Sequence, residues 1–175
     1  MSDATDIRDS LSTDGAALED LYGAAFPDEN LIPLLRDLLG EKEGVFSFVA
    51  MRDGALAGHI VFSMCRVGGR DEKIALLGPL TVSPRFQRQG IGGTLIHEGL
   101  RRVTGEGATQ VLVLGDPAYY GRFGFEPECR VSPPYDLPQE WRTAWQSVSL
   151  SSAKSELSGT LFVPKPWHKP ELWAP

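Results

Sequence analysis

VSPRFQRQGIGGTLIHEGL, running from Val82 to Leu100, changes character three times: an apolar strand end, a basic and polar cluster, a glycine-rich step and then a helical pattern. A loop joining a strand to a helix N-terminus presents backbone N–H groups with no acceptor in a preceding turn, at the positive end of the helix dipole. It therefore forms a seat for an anion. Gly90, Gly92 and Gly93 clear side chains from the approach, while Arg85 and Arg88 supply local positive charge. The combination suits a pyrophosphate. Two familiar phosphate loops do not match it. A P-loop carries Lys-Ser or Lys-Thr after its last glycine, where this chain has Gly93-Thr94-Leu95. The dinucleotide fingerprint would place its third glycine at Leu95 and would follow a strand that opens a parallel sheet, whereas the strand ending at Val82 closes an antiparallel meander.

That meander is written on the N-terminal side of the loop. GVFSFVAMR (44–52) and ALAGHIVFSMCRV (55–67) flank Asp53-Gly54, a two-residue primed-turn signal, and IALLGPLTV (74–82) follows a turn in GGRDEK (68–73). Before the meander, DIRDS (6–10) reads as a short first strand. In STDGAALEDLYGAAF (12–26), Ala17, Leu18, Leu21, Tyr22, Ala25 and Phe26 recur at helical spacing behind the capping candidates Thr13 and Asp14. Leu31, Leu34, Leu35 and Leu38 repeat the pattern in a second helix, with Pro33 in its first turn and Gly40 as its C-terminal stop. After the loop come the helix that it starts, a Gly105-Glu106-Gly107 break and the apolar strand QVLVLG (110–115). A strand, helix and strand in that order make a right-handed crossover, so the strand ending at Val82 and the strand at 110–115 should be parallel. PAYYGRF (117–123) is a short helix or turn, GFEPE (124–128) begins a strand, PPYDLPQ (133–139) is a loop, and WQSVSL (145–150) and GTLFV (159–163) are final strands.

Composition narrows the function. The 175 residues are 42% hydrophobic and 23% charged, values of an ordinary folded protein that set disordered and membrane classes aside, and no linker divides them. A single domain over 1–175 is expected, with a core over about 5–130 and the final strands and a Pro/Trp-rich tail over 131–175. The acidic, polar start MSDATDIRDS differs from a secretory signal, so a cytoplasmic location is expected, with no membrane partner. A formal net charge of −6 argues against a general nucleic-acid binder, and any anion must be held locally. The two cysteines, Cys65 and Cys129, form no Cys-x-x-Cys pair and have no histidine at metal spacing, so neither a disulfide framework nor a metal site is indicated.

At LTVSPRFQRQGIGGTL the chain resembles the GNAT superfamily of acyl-CoA-dependent N-acetyltransferases. The family pattern of Gln or Arg, two residues, Gly, one residue, then Gly or Ala, corresponds to Gln87-Arg88-Gln89-Gly90-Ile91-Gly92. VLVLGDPAYYGRFGF (111–125) is similar to the family's later motif of a strand, a Tyr-bearing helix and Gly-Phe. The wording LGDPAYYGRFGF looks like a bacterial subgroup of predicted acetyltransferases. The resemblance implies an α/β (α+β) fold with a mixed, largely antiparallel central sheet flanked by helices, and a splayed parallel strand pair that holds the coenzyme. It implies acetyl-CoA as cosubstrate without a metal, and an amine acceptor. The splay would fall at Gly78-Pro79, since proline lacks the ladder N–H; an ordinary bulge is the other reading. By the same resemblance, the backbone of Leu80, Thr81 and Val82 faces the acyl-pantetheine, Val82 N–H polarises the carbonyl, and Gln87, Arg88, Gln89, Gly90, Ile91, Gly92 and Gly93 hold the pyrophosphate.

The chemistry asks for an N–H at the oxyanion, a base for the amine and an acid for the departing sulfur. Tyr120, four residues before Gly124, stands where many family members carry a tyrosine near the coenzyme sulfur, and an unperturbed phenol near pKa 10 stays protonated at neutral pH. Packing of Tyr120 against Phe123 and Phe125 is the alternative, and Tyr119 points elsewhere on a helix. His59, His97 and Glu98 are candidates for the base, and periodicity does not choose among them or against water. Cys65 and Cys129 have no evident activating partner. The tail with Trp167, His168 and Trp173 can cover the acceptor groove, meet a second subunit or close the core edge, so the protein is expected as a monomer or homodimer. A primary amine of a small molecule, protein or peptide is the expected acceptor; a non-catalytic acyl-CoA-binding module is the alternative.

Overall fold

The computed structural model describes residues 4–153 and 155–174. Two compact units divide the chain: Met1–Phe62 with Pro79–Arg102, and Ser63–Gly78 with Val103–Pro175. Two long strands contribute to both, β3 (Ala55–Val67) and β4 (Lys73–Val82).

In the first unit the strand order is β1-β2-β3-β4, with β1 at Asp6–Asp9 and β2 at Val45–Arg52. β1 runs antiparallel to β2, from Asp6 opposite Met51 to Asp9 opposite Phe48. Asp53 (φ 51°) and Gly54 (φ 75°) both lie in the left-handed region, the requirement of the type I′ turn that the Asp-Gly pair signals. Helix α1 (Gly15–Ala25) and helix α2 (Ile32–Leu39) arise from the two leucine-rich periodic runs. Leu18, Leu21, Tyr22, Leu35 and Val49 form a buried cluster. Two end signals act differently from the sequence expectation. Asp14 makes no capping bond to α1; its carboxylate instead accepts from Leu11 N–H (2.6 Å) and takes both ends of the Arg8 guanidinium (2.8 and 2.9 Å). Gly40 follows α2 in right-handed geometry (φ −80°), so that stop does not use glycine's conformational freedom.

Helix α3 (Ile91–Gly105) lies close on β3 because glycines remove the spacing side chains. A Cβ at Gly58 would meet Leu95 Cδ1 at 3.0 Å and Ile91 Cγ2 at 3.1 Å, and one at Gly99 would meet Phe62 Cε2 at 2.0 Å.

In the second unit the order is β3-β4-β5-β8-β6, with β5 at Ala108–Leu114, β6 at Glu126–Pro127 and β8 at Trp145–Ser149. β4 and β5 are parallel, as the crossover rule requires, from Lys73 opposite Ala108 to Leu77 opposite Val113. β8 returns antiparallel to β5. Two small pairings extend this unit. β9 (Gly159–Phe162) pairs with β3 through Arg66 and Val67, and β7 (Val131–Ser132), a strand absent from the sequence reading, runs parallel to β9. Helix α4 (Pro117–Tyr120) is a single turn whose Asp116 side chain accepts from Ala118 N–H. The tail is core: Trp173 is 1% exposed, its Nε1–H donates to Trp167 O (3.1 Å), and its ring meets Trp145 edge-on. Trp167 Nε1–H donates to the buried Ser63 Oγ (3.2 Å), and its ring covers Gly78.

Candidate active site

The residues read as coenzyme-binding all belong to the first unit. Leu80, Thr81 and Val82 form the end of β4, and Gln87 to Gly93 form the loop and the first residues of α3. Ser83 N–H donates to Ala57 O of β3 (2.8 Å). Backbone groups alternate sides along a strand, so the N–H groups of Val82 and Leu80 point away from β3. The Gln87 amide donates to Val82 O (3.1 Å) and fixes the turn between β4 and the loop. Thr81 is buried, and its Oγ1 has no hydrogen-bond partner among the described residues, an orphaned polar atom of the kind that a ligand or water satisfies.

The loop beyond is open. Thr94 N–H is the first to bond back, to Gly90 O at 3.0 Å, which leaves the N–H groups of the opening turn without helical acceptors. Gly90 has φ 82° and nothing within 4 Å of the place a Cβ would occupy. Arg88 holds φ 63°, and Arg85 stacks 5.0 Å over the Phe86 ring. Exposed amides, glycine and two guanidinium groups match the needs of a pyrophosphate. Thr81 and the outward N–H groups of Leu80 and Val82 match those of an amide-bearing arm.

Tyr120 belongs to the second unit. Its ring rests on Gly115, where a Cβ would come within 2.4 Å of Cε2, and meets Phe125 and Tyr119 edge-on. Its hydroxyl has no hydrogen-bond partner among the described residues, so packing fixes the ring and leaves the polar end uncommitted. The expectation of an unperturbed phenol does not hold. Burial chiefly, and Tyr119 alongside it, raise the phenol above its ordinary value. Tyr119 carries Arg122 over its ring at 4.8 Å and packs against Phe123.

The candidate bases separate sharply. His59 is fully buried, with Nδ1 2.7 Å from Tyr22 Oη and Nε2 2.7 Å from Ser47 Oγ, and desolvation lowers its pKa to about 3. It is a neutral, structurally committed histidine. Glu98 is ion-paired with Arg101, and His97 is exposed. Burial pushes the Cys65 thiol up to about 12, which removes it as a nucleophile, and Cys129 is exposed. Among the described residues no cluster of three or more His, Cys, Asp or Glu is placed to hold a metal ion, and no helix is long and apolar enough to cross a membrane.

One feature of the second unit had no sequence signal. Residues 127–145 line a cavity of about 750 Å³ that opens to solvent. Its wall includes Glu128, whose carboxylate accepts from Gln110 Nε2, Ser147 Oγ and the N–H groups of Arg130 and Val131.

Known proteins share this fold. The acetyltransferase (GNAT) family profile matches residues 15–125. The uncharacterized N-acetyltransferase YjhQ of Escherichia coli K12 is 33% identical over 165 residues, covering 90% of this chain and 85% of the relative. The crystal structure of the GNAT family N-acetyltransferase YhbS of Escherichia coli in complex with CoA superposes with a TM-score of 0.86 at 26% identity, covering 97% of this chain and 94% of that one. A GNAT family acetyltransferase of Brucella melitensis in complex with acetyl-CoA gives a TM-score of 0.75 at 30% identity over 94% of this chain and 99% of that one. With a family match that takes in the glycine loop and the Tyr120 turn, and relatives aligned over nearly its whole length, the chain belongs to the acetyltransferase (GNAT) family of enzymes.

Proposed function

We propose that this enzyme transfers the acetyl group of acetyl-CoA to a primary amine by direct attack, with both substrates bound together. The observation that carries the reading is the segment from Leu80 to Gly93. It joins outward-facing strand N–H groups, an orphaned Thr81 hydroxyl and an unblocked helix N-terminus in one continuous run. Acetyl-CoA supplies the activated thioester. The amides from Gln87 to Gly93 take its pyrophosphate, with Arg85 and Arg88 adding charge. Leu80 and Val82 present N–H groups to the pantetheine arm and the acetyl carbonyl, where Val82 N–H opposes the negative charge that develops on oxygen.

A bond forms between the amine nitrogen and the acetyl carbon, the carbon–sulfur bond breaks with its electron pair on sulfur, and the nitrogen loses a proton to water. Tyr120 acts at sulfur. A phenol raised above 10 is fully protonated at neutral pH but yields its proton reluctantly to a thiolate, so its contribution is a hydrogen bond that strengthens as negative charge gathers on sulfur.

Gly90→Asp tests the loop. The new carboxylate has open space, but the left-handed φ of 82° strains any residue other than glycine; Asp tolerates it better than most, at about 1 kcal/mol, so the fold survives with a modest loss of stability. It sets a negative charge where the pyrophosphate would rest. Calorimetric titration with acetyl-CoA should show affinity reduced at least about tenfold, or about 1.4 kcal/mol, with a melting temperature lowered by no more than about 4 °C. Unchanged affinity in the folded variant would remove the coenzyme from this loop and end the reading.

A further inference from the structure

We propose that the cavity within residues 127–145 seats the acceptor, and that it selects a small primary amine that also carries an anionic group, a carboxylate or a phosphate. The proposal rests on the acetyl-transfer reading and adds to it the class of the acceptor.

Position argues first. Gly115, at the end of β5, donates its N–H to Ala144 O (2.9 Å) and accepts from Gln146 Nε2 (3.0 Å), while the Tyr120 ring lies on Gly115. Ala144 stands between Thr143 and Trp145, which both line the cavity. The cavity and the Tyr120 ring therefore flank the same pair of backbone residues. Its volume of about 750 Å³ falls in the range of small-molecule sites.

Charge argues next. Glu128 is held by four neutral donors, two on each oxygen, and by no cation among the described residues, so its lone pairs are filled while its negative charge stays in the wall. Asp136 and Arg142 also line the cavity, and neither side chain has a hydrogen bond or ion pair among the described residues. Asp136 can accept from an ammonium group, with the Glu128 charge adding to the attraction, and a guanidinium fork free of protein partners binds a carboxylate or phosphate in two-point fashion. A simple alkylamine would leave Arg142 unused, and a dianion without an amine would be repelled by Glu128 and Asp136.

Cys129 supplies a readout that does not depend on turnover. Its thiol is exposed in the cavity lining, whereas Cys65 is buried and pushed up to about 12, so iodoacetamide should label Cys129 selectively. The probes are two matched pairs: 4-aminobutanoate with butylamine, and O-phosphoethanolamine with ethanolamine. At equal millimolar concentration the anionic member of each pair should slow labelling at least about threefold more than its neutral partner, and Arg142→Gln should erase the difference. With acetyl-CoA and the same probes, thiol release should show kcat/KM at least about tenfold higher for the anionic members, a preference that Arg142→Gln removes through KM. Equal protection within the pairs, or none from any probe, overturns the proposal. Protection without turnover leaves a binding site and overturns its assignment to the acceptor. Failure of the unmodified enzyme to bind acetyl-CoA in the calorimeter counts against acetyl transfer itself, so the two failures are distinguishable.

Discussion

Tyr120 shows how one side chain can be fixed and uncommitted at once. Its ring is held by Gly115, Phe125 and Tyr119, and its hydroxyl has no partner to lose among the described residues. Tyr120→Phe should therefore change stability by no more than about 0.5 kcal/mol. If the hydroxyl serves the departing thiolate through a hydrogen bond, turnover should fall about 10²- to 10³-fold with acetyl-CoA affinity nearly unchanged. Melting temperature, coenzyme affinity and turnover measured on one preparation check this, and full activity would release Tyr120 from the role. His59 is the contrasting case. Both of its nitrogens are engaged by hydroxyls, and a third hydroxyl, Ser10 Oγ, bonds to Ser47 Oγ at 2.7 Å, so the imidazole is one link of a chain that runs from the buried Tyr22 to the half-buried Ser47 and Ser10.

At the scale of elements, the seating of α3 on β3 depends on a missing side chain. Gly→Ala inside a helix ordinarily stabilises by about 1 kcal/mol through propensity alone. At Gly99 the added methyl would fall 2.0 Å from Cε2 of Phe62, a ring with no solvent exposure, and either the ring or the helix must move. Overpacking of this kind costs about 1–3 kcal/mol, which outweighs the propensity gain. Gly99→Ala should accordingly lower the urea midpoint; an unchanged or raised midpoint would mean that Phe62 turns aside freely. Because α3 begins at the proposed coenzyme loop, the same substitution should also weaken acetyl-CoA binding. The β4–β5 pair is the other element that matters. Its ladder runs to Leu77 opposite Val113, and the next residue, Gly78, has φ 151° and lies beneath the Trp167 ring. The Gly78-Pro79 step thus marks where the parallel pairing ends.

For the whole molecule, buried titratable groups set the response to acid. The folded pKa of His59, about 3, lies below its unfolded value near 6.5, so its stabilising contribution is complete above pH 6.5 and is lost as pH falls toward 3. Across that window the unfolded chain takes up a proton that the folded one refuses, with a slope approaching about 1.4 kcal/mol per pH unit. Asp14 acts in the same direction lower down. The Arg8 guanidinium holds its carboxyl below the ordinary value, and this contribution disappears below pH 4 as the carboxyl is protonated. Urea unfolding at pH 7, 5.5 and 4.5 should show stability falling steadily. In His59→Gln, which cannot titrate, the protein should be less stable at pH 7 yet show a shallower decline. An equal decline in the variant would place the acid sensitivity elsewhere.

Features that depend on near neighbours were legible in the chain alone. The primed turn at Asp53-Gly54 follows from backbone stereochemistry, α1 and α2 from apolar period, and the parallel β4–β5 pairing from the handedness of a crossover. The motif Gln87 to Gly92 marked the loop for the same reason, since strand, glycines and helix start are contiguous. Tertiary structure decided what depends on residues far apart. His59 was open as a base until Ser47 and Tyr22, 12 and 37 residues away, occupied both its nitrogens. The phenol of Tyr120 was shifted by the burial that packing imposes, and no local rule contains that desolvation. Strand β7 is too short to leave a period and exists through its pairing with β9. The cavity of residues 127–145 owes its uncompensated carboxylate to Gln110 and Ser147, which converge on Glu128 only when β5 and β8 lie side by side. Short-range conformation is a property of the chain, whereas burial, charge and partnership are properties of the packed fold.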